Sequence, residues 1–169
     1  MNATMTLAPG ARDPFQALRG VLDHILMAIT TAMATSYKSE LMTATHNHAV
    51  GGSNFALALF DATATMDATT ATYSGANEIA NGNGYTTGGK ALTNIAPATG
   101  GTTAFTTFNS PLVWTNATFT ARGAQIYNQS QGNKSVGVFD FGSNIPVVAG
   151  NFTLSFPTAN ASAAVLRLT

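Results

Sequence analysis

The hydrophobic period of the chain changes once, near residue 50. Ahead of that point Phe15, Leu18, Leu22, Ile25 and Ile29 recur at spacings of three and four. That is the repeat of one apolar face on an α-helix. Asp13 followed by Pro14 supplies an N-cap and a proline at the first helical position. The pattern predicts a helix over residues 13–43, with Ser36, Tyr37, Lys38, Glu40 and Leu41 continuing it as a second short helix. "VGG" at Val50–Gly52 stops it. A helix of this kind ahead of a β-rich body has an apolar face to bury on that body or on a neighbouring subunit. Met33 opens "MATSYKSEL" and offers a second credible translation start, with the residues before it read as an extension of little structure.

From Asn54 the runs shorten and the helical repeat is lost. "NFALALF", "KALTNI", "TTAFTTF", "LVWTNATFTARGAQIYN", "SVGVFDFG", "NFTLSFP" and "AAVLRLT" read as strands. "APATGG", "QSQGNK", "SNIPVVAG" and "TANAS" separate them as turns. In "NFTLSF", Phe152, Leu154 and Phe156 face one way, and Thr153 and Ser155 the other. Short strands with turn signals every eight to twelve residues or so indicate a sandwich or small barrel. The expected fold is mainly β: an antiparallel β-sandwich, jelly-roll-like or Ig-like, preceded by an N-terminal helical segment. The expected division is an extension and helical segment at 1–50 and a β-sandwich domain at 51–169.

One hairpin can be specified by register. "NQSQGNK" joins two strands, and a symmetric loop puts Ile126 opposite Val136, Ala124 opposite Val138 and Arg122 opposite Asp140. The first two pairs make one apolar face. The third sets a guanidinium against a carboxylate, which explains an aspartate inside a strand. A contact between Arg122 and Asp140 is therefore expected.

Composition narrows the functional classes. Hydrophobic residues make up 45% of the chain and charged residues only 8%, with zero formal net charge. An ordinary soluble domain carries about 25% charged residues. So little charge gives weak protection against association and suits a subunit packed against copies of itself. It does not suit a nucleic-acid binder, which needs a basic stripe. No apolar run reaches the roughly 18 residues of a membrane span; the best, "ALRGVLDHILMAITTAMA", is broken by Asp23 and His24. The absence of cysteine excludes a disulfide, a thiolate zinc site and a thiol nucleophile.

Two stretches invite a chemical reading. "GYTTGGKA", from Gly84, is one residue from the phosphate-cradling pattern G-x-x-x-x-G-K-[ST]. Ala91 stands where the Mg²⁺-holding hydroxyl belongs, and neither a buried strand before nor a helix after is indicated. It reads better as a glycine turn through Gly84, Gly88 and Gly89 that swings Tyr85 inward and starts a strand at Lys90. "HNH" at His46–His48 suggests a metal, with Glu40 and His24 as the only further ligands in reach. A polar link between helix and first strand is the better reading. Trp114 with Tyr73, Tyr85 and Tyr127 offers a sugar-stacking platform or, more simply, core packing. No nucleophile elbow or carboxylate pair appears, so neither catalytic residues nor a cofactor are expected.

Taken together, "YSGANEIANGNGYTTGGKAL", "TAFTTFNSPLVWTNATFTARGAQIYN", "GNKSVGVFDFG" and "GNFTLSFPTANASAAVLRL" resemble a family of small tailed-bacteriophage virion proteins. The segments "NE…G.GY..GG..L" and "W.NAT.TARGA.IYN" carry the resemblance most specifically, and it covers Met33 to the C-terminus. It implies a non-enzymatic structural part of a phage particle, with no catalytic residues to carry over. The first expectation is a capsid decoration (cement) subunit that bridges and stabilises capsomers. Its partners would be the major capsid protein or other virion proteins and copies of itself, with neither nucleic acid nor membrane. Its location would be the virion, assembled in the host cytoplasm. The alternative is a tail-fibre or receptor-binding module contacting host-surface glycans.

Overall fold

The computed structural model describes residues 28–169. Its elements are β1 (Ala32–Met33), α1 (Thr35–Met42), β2 (Phe55–Phe60), β3 (Lys90–Leu92), β4 (Ala98–Gly100), β5 (Thr103–Thr106), β6 (Leu112–Asn128), β7 (Lys134–Leu154) and β8 (Leu166–Leu168). The fold is mainly β. A five-stranded sheet runs β1-β7-β6-β2-β3 and a three-stranded sheet runs β4-β5-β8. Every strand pair is antiparallel.

The unbroken apolar run of β2 has a direct cause. Phe55, Leu57 and Leu59 point into one hydrophobic cluster, and Ala56, Ala58 and Phe60 into another on the opposite face. Both faces are covered, so strict alternation is lost. The larger cluster adds Tyr37, Tyr85, Trp114, Phe108, Ile126 and Val136, and takes Leu166 from β8. Burying each large side chain contributes about 1.5–3 kcal/mol. The smaller cluster is closed by Ile29, Ala64 and Met66, which lie outside the strands.

The helical expectation needs correcting at its centre. Residues 13–27 lie outside the described part. Residues 28–34 are extended, not helical: Ile29 bridges Met66, and Ala32 and Met33 pair with Val138 and Gly137 of β7. Gly123 is the physical reason. A Cβ there would lie 2.6 Å from Ile29 Cδ1, so its bare backbone leaves the room that Ile29 fills. This long-range fit outweighs a local helical period. Only the second short helix forms, as α1. Residues 28–50 are built into the body, with β1 as an edge strand and Tyr37 in the main cluster.

The long hairpin also departs from simple symmetry. Asn128 faces Lys134 and Tyr127 faces Ser135, as a symmetric turn requires. A bulge between Ile126 and Tyr127 then shifts the pairing by one, so that Ile126 faces Gly137 and Ala124 faces Phe139. A second bulge, between Ala121 and Gly123, leaves Arg122 outside the ladder. "SNIPVVAG" is not a turn. It lies inside β7, where Thr120 faces Pro146 and Ala121 faces Ile145.

Candidate functional site

The most concentrated chemistry surrounds the two histidines of "HNH". Both are buried. Asn128 Oδ1 accepts from the Ser130 N–H at 3.1 Å, which turns its amide nitrogen toward His46 Nδ1 at 2.9 Å. His46 Nδ1 therefore accepts, and the ring proton sits on Nε2. That nitrogen donates to Glu40 Oε2 at 2.8 Å. Lys134 Nζ donates to the other Glu40 oxygen at 2.5 Å. Burial pushes the Glu40 carboxyl up, but the hydrogen bonds from Lys134 and His46 outweigh it and hold the group below its ordinary range.

His48 lies two residues on and bonds the same helix. Its Nε2 is 2.7 Å from the Tyr37 hydroxyl, and its ring stacks on Phe55 at 4.4 Å. Its Nδ1 is buried without a partner. Burial, then the neighbouring His46, push the imidazole down to about 4. Burial pushes the Tyr37 phenol up. These side chains tie α1 to β2, β6 and β7. They form the base of a largely apolar cleft of about 340 Å³, walled by Met33, Leu41, Phe105 and Leu166. Among the described residues, no three His, Asp or Glu side chains converge as a metal site. Glu40 does fold back onto His46; His24 lies outside the described residues.

The glycine turn is a second organised centre. Tyr85 is buried, and its hydroxyl accepts the Leu59 N–H at 2.9 Å and donates to Glu78 Oε1 at 2.7 Å. Glu78 also accepts from the Gly88 N–H at 2.7 Å and the Tyr73 hydroxyl at 2.5 Å. The Gly88 carbonyl accepts from Tyr127 at 2.8 Å. Gly84, at φ +82, lies against the Ala117 backbone, and Gly89, at φ +73, lies against the Leu57 carbonyl. The glycines let this turn lie directly on β6 and β2. β3 begins at Lys90. The Gly88 N–H is thus spent on an internal carboxylate, and the N–H groups of Tyr85, Thr87 and Gly89 on the Gly82 carbonyl, the Asn81 side chain and the Thr86 carbonyl, so these donors are not turned toward a phosphate.

The remaining site residues fall at the surface or in the core. Arg122 Nε donates to Asp140 Oδ1 at 2.7 Å and Nη2 to Oδ2 at 3.1 Å. This hydrogen bond keeps the Asp140 carboxyl below its ordinary range, outweighing the partial burial that pushes it up. Trp114 is only 2% exposed, with Phe152 against it and the Lys90 ammonium 5.6 Å from its ring centre. Tyr85 and Tyr127 are buried as well. A stacking platform built on these rings is not open to a sugar.

Sequence reasoning missed the roles of Tyr37, Glu78, Asn128 and Lys134. Glu78 carried a usable signal, a lone carboxylate ahead of a glycine-rich turn. From Phe141 to Leu154 the outer edge of β7 carries no strand among the described residues. That stretch has no charged residue, and it exposes Ile145 and Val148, the latter 79%. Comparison with protein-family models, curated proteins and solved structures finds no significant match.

Proposed function

We propose that this protein is a non-enzymatic structural subunit of a phage virion, foremost a capsid decoration protein that bridges and stabilises capsomers. The observation that carries the reading is the open, charge-free edge of β7 with Ile145 and Val148 exposed on it. Monomeric proteins usually blunt such an edge with charge, proline or bulges; this one has Pro146 and a bulged pairing with β6 but no charge. A subunit that finishes its sheet or its apolar surface on a neighbour has no need of that. The committed state of the histidines, Glu40 and Glu78 fits the same reading, since each holds the fold together and none is presented to solvent as a catalytic group. In this reading the two antiparallel sheets face each other as a sandwich, jelly-roll-like or Ig-like, with the large cluster between them. The sequence resemblance to phage virion proteins supplies the particle. Symmetry-repeated contact area would then oppose dissociation of the shell.

Of the rings that the receptor-binding alternative would use, Trp114, Tyr85 and Tyr127 are buried and Tyr73 is half-buried. The test is addition of purified protein to capsids lacking it. The expected result is saturable binding and a higher temperature of shell disruption. Absence of binding to shells that accept their other components would contradict the proposal.

A further inference from the structure

We infer that α1 and the chain that follows it to His48, residues 35–48, form an acid-released latch, held to the large sheet by the His46–His48 pair and let go when the buried His48 is protonated. The inference does not depend on the virion reading. It rests on how the latch is fastened. Apart from the apolar packing of Tyr37 and Leu41, three side-chain contacts tie it to the sheet: His46 to Asn128 of β6, Glu40 to Lys134 of β7, and the His48 ring stacked on Phe55 of β2. Two of the three pass through an imidazole, whereas Asn94 and Ser130 fasten the chain beyond His48 at Ala49, Ser53 and Asn54.

The His48 imidazole cannot take a second proton in place. Protonated His48 would carry two N–H donors. The Nε2 proton has the Tyr37 oxygen to accept it, but Nδ1 is buried with no acceptor. The groups packed on His48 are Tyr37 from α1, His46 from its own loop, Phe55 from β2 and Phe108 from the segment before β6. None is anionic. Arg167 of β8, a cation, lines the same cleft. Glu40 is the one carboxylate of the cluster, and His46 and Lys134 already occupy it. The conflict at His48 Nδ1 vanishes when the segment swings into water.

The strands beneath do not share this dependence. β2, β6 and β7 are joined by long backbone ladders, bulged between β6 and β7. Release would therefore uncover the Met33, Leu41 and Phe105 walls of the cleft without dissolving the sheet. An open state that binds one proton more than the closed state gains about tenfold in population per pH unit of acidification.

Hydrogen exchange of the full chain, read by mass spectrometry from pH 7.5 to 4.5 and corrected for intrinsic rates, tests this. Protection of α1 amides is expected to fall about tenfold per pH unit below about 6.5, the ordinary imidazole range. β6 and β7 should keep theirs. Loss of protection in α1 and in β6–β7 together, or an α1 that is indifferent to pH, would overturn the latch. His48→Gln keeps a hydrogen-bonding group near Tyr37 but cannot titrate, and it is expected to flatten the slope. An undiminished slope in that variant would overturn the assignment. Ring-proton resonances of His48 in the unmodified protein give a readout that needs no variant. They should titrate together with the loss of α1 protection. Titration at the ordinary value while α1 stays protected would equally refute the proposal.

Discussion

Single residues of the glycine turn set the closest contacts in the fold. Gly89 combines a left-handed φ of +73 with the Leu57 carbonyl in the place a Cβ would occupy. Gly132, at φ +65, has nothing within 4 Å of such an atom. Gly89→Ala is therefore expected to cost well over about 3 kcal/mol, since the backbone of β2 must move. Gly132→Ala should cost only the conformational term of about 1–2 kcal/mol. Urea denaturation of the two variants separates the contributions; equal losses would show that contact with Leu57 is unimportant. At this scale the sequence was informative wherever a residue type was out of place. An aspartate inside a strand pointed to Arg122, and the two are in bidentate contact. The buried histidines were harder to read. Their partners lie 6 and 11 residues away for Glu40 and Tyr37 but 82 away for Asn128, and no local pattern records a bond that long.

Elements show where local pattern governs and where packing overrules it. Alternation and turn residues marked most of the strands, and β2, β3, β5 and β8 fall inside the runs read from the sequence. The extended run at 28–34 was read as helix, because Ile29 completes a helical period whose physical partner, Gly123, is far along the chain. Register slipped for a similar reason. A bulge at Ile126–Tyr127 costs nothing in composition, so the apolar pairs looked equally good one residue away. The long polar stretch from Asp61 to Asn83 offered no element ahead of the glycine turn, yet Glu78 within it fastens that turn. Three donors converge on that carboxylate: two tyrosine hydroxyls and the Gly88 N–H. In Glu78→Gln, an amide NH₂ would face one of those donors and the charge would be lost. The expected cost is about 2–3 kcal/mol, with faster exchange of the Gly88 amide. A variant as stable as the parent in urea would show that the turn is held by its glycines alone.

The whole molecule combines a nearly uncharged surface with ionisable groups kept inside, and its stability should follow the latter. His48 is held down to about 4 in the folded state against an unfolded value of 6.5. The unfolded chain therefore binds the extra proton first. The contribution is complete above pH 6.5 and is lost as pH falls toward 4. The loss is on the order of 3 kcal/mol for a shift of this size. Glu40, also lowered, adds to the loss in the carboxylate range as its bonds to Lys134 and His46 are forfeited. Thermal melts from pH 8 to 4 are expected to be level above about 6.5 and to fall below it; a melting temperature that rises on acidification would reverse the sign.

At the same scale lies the question of what the charge-free edge of β7 meets. Composition raised the expectation of association, but the edge on which the proposal rests was not legible, because "SNIPVVAG" reads as a turn and folds as strand. The most direct measurement is cryo-electron microscopy of intact particles carrying the protein. The account predicts density for this fold at capsomer junctions, with the Phe141–Leu154 edge of β7 turned toward a neighbouring subunit. Density confined to the tail tip, or particles that lack the protein altogether, would contradict it.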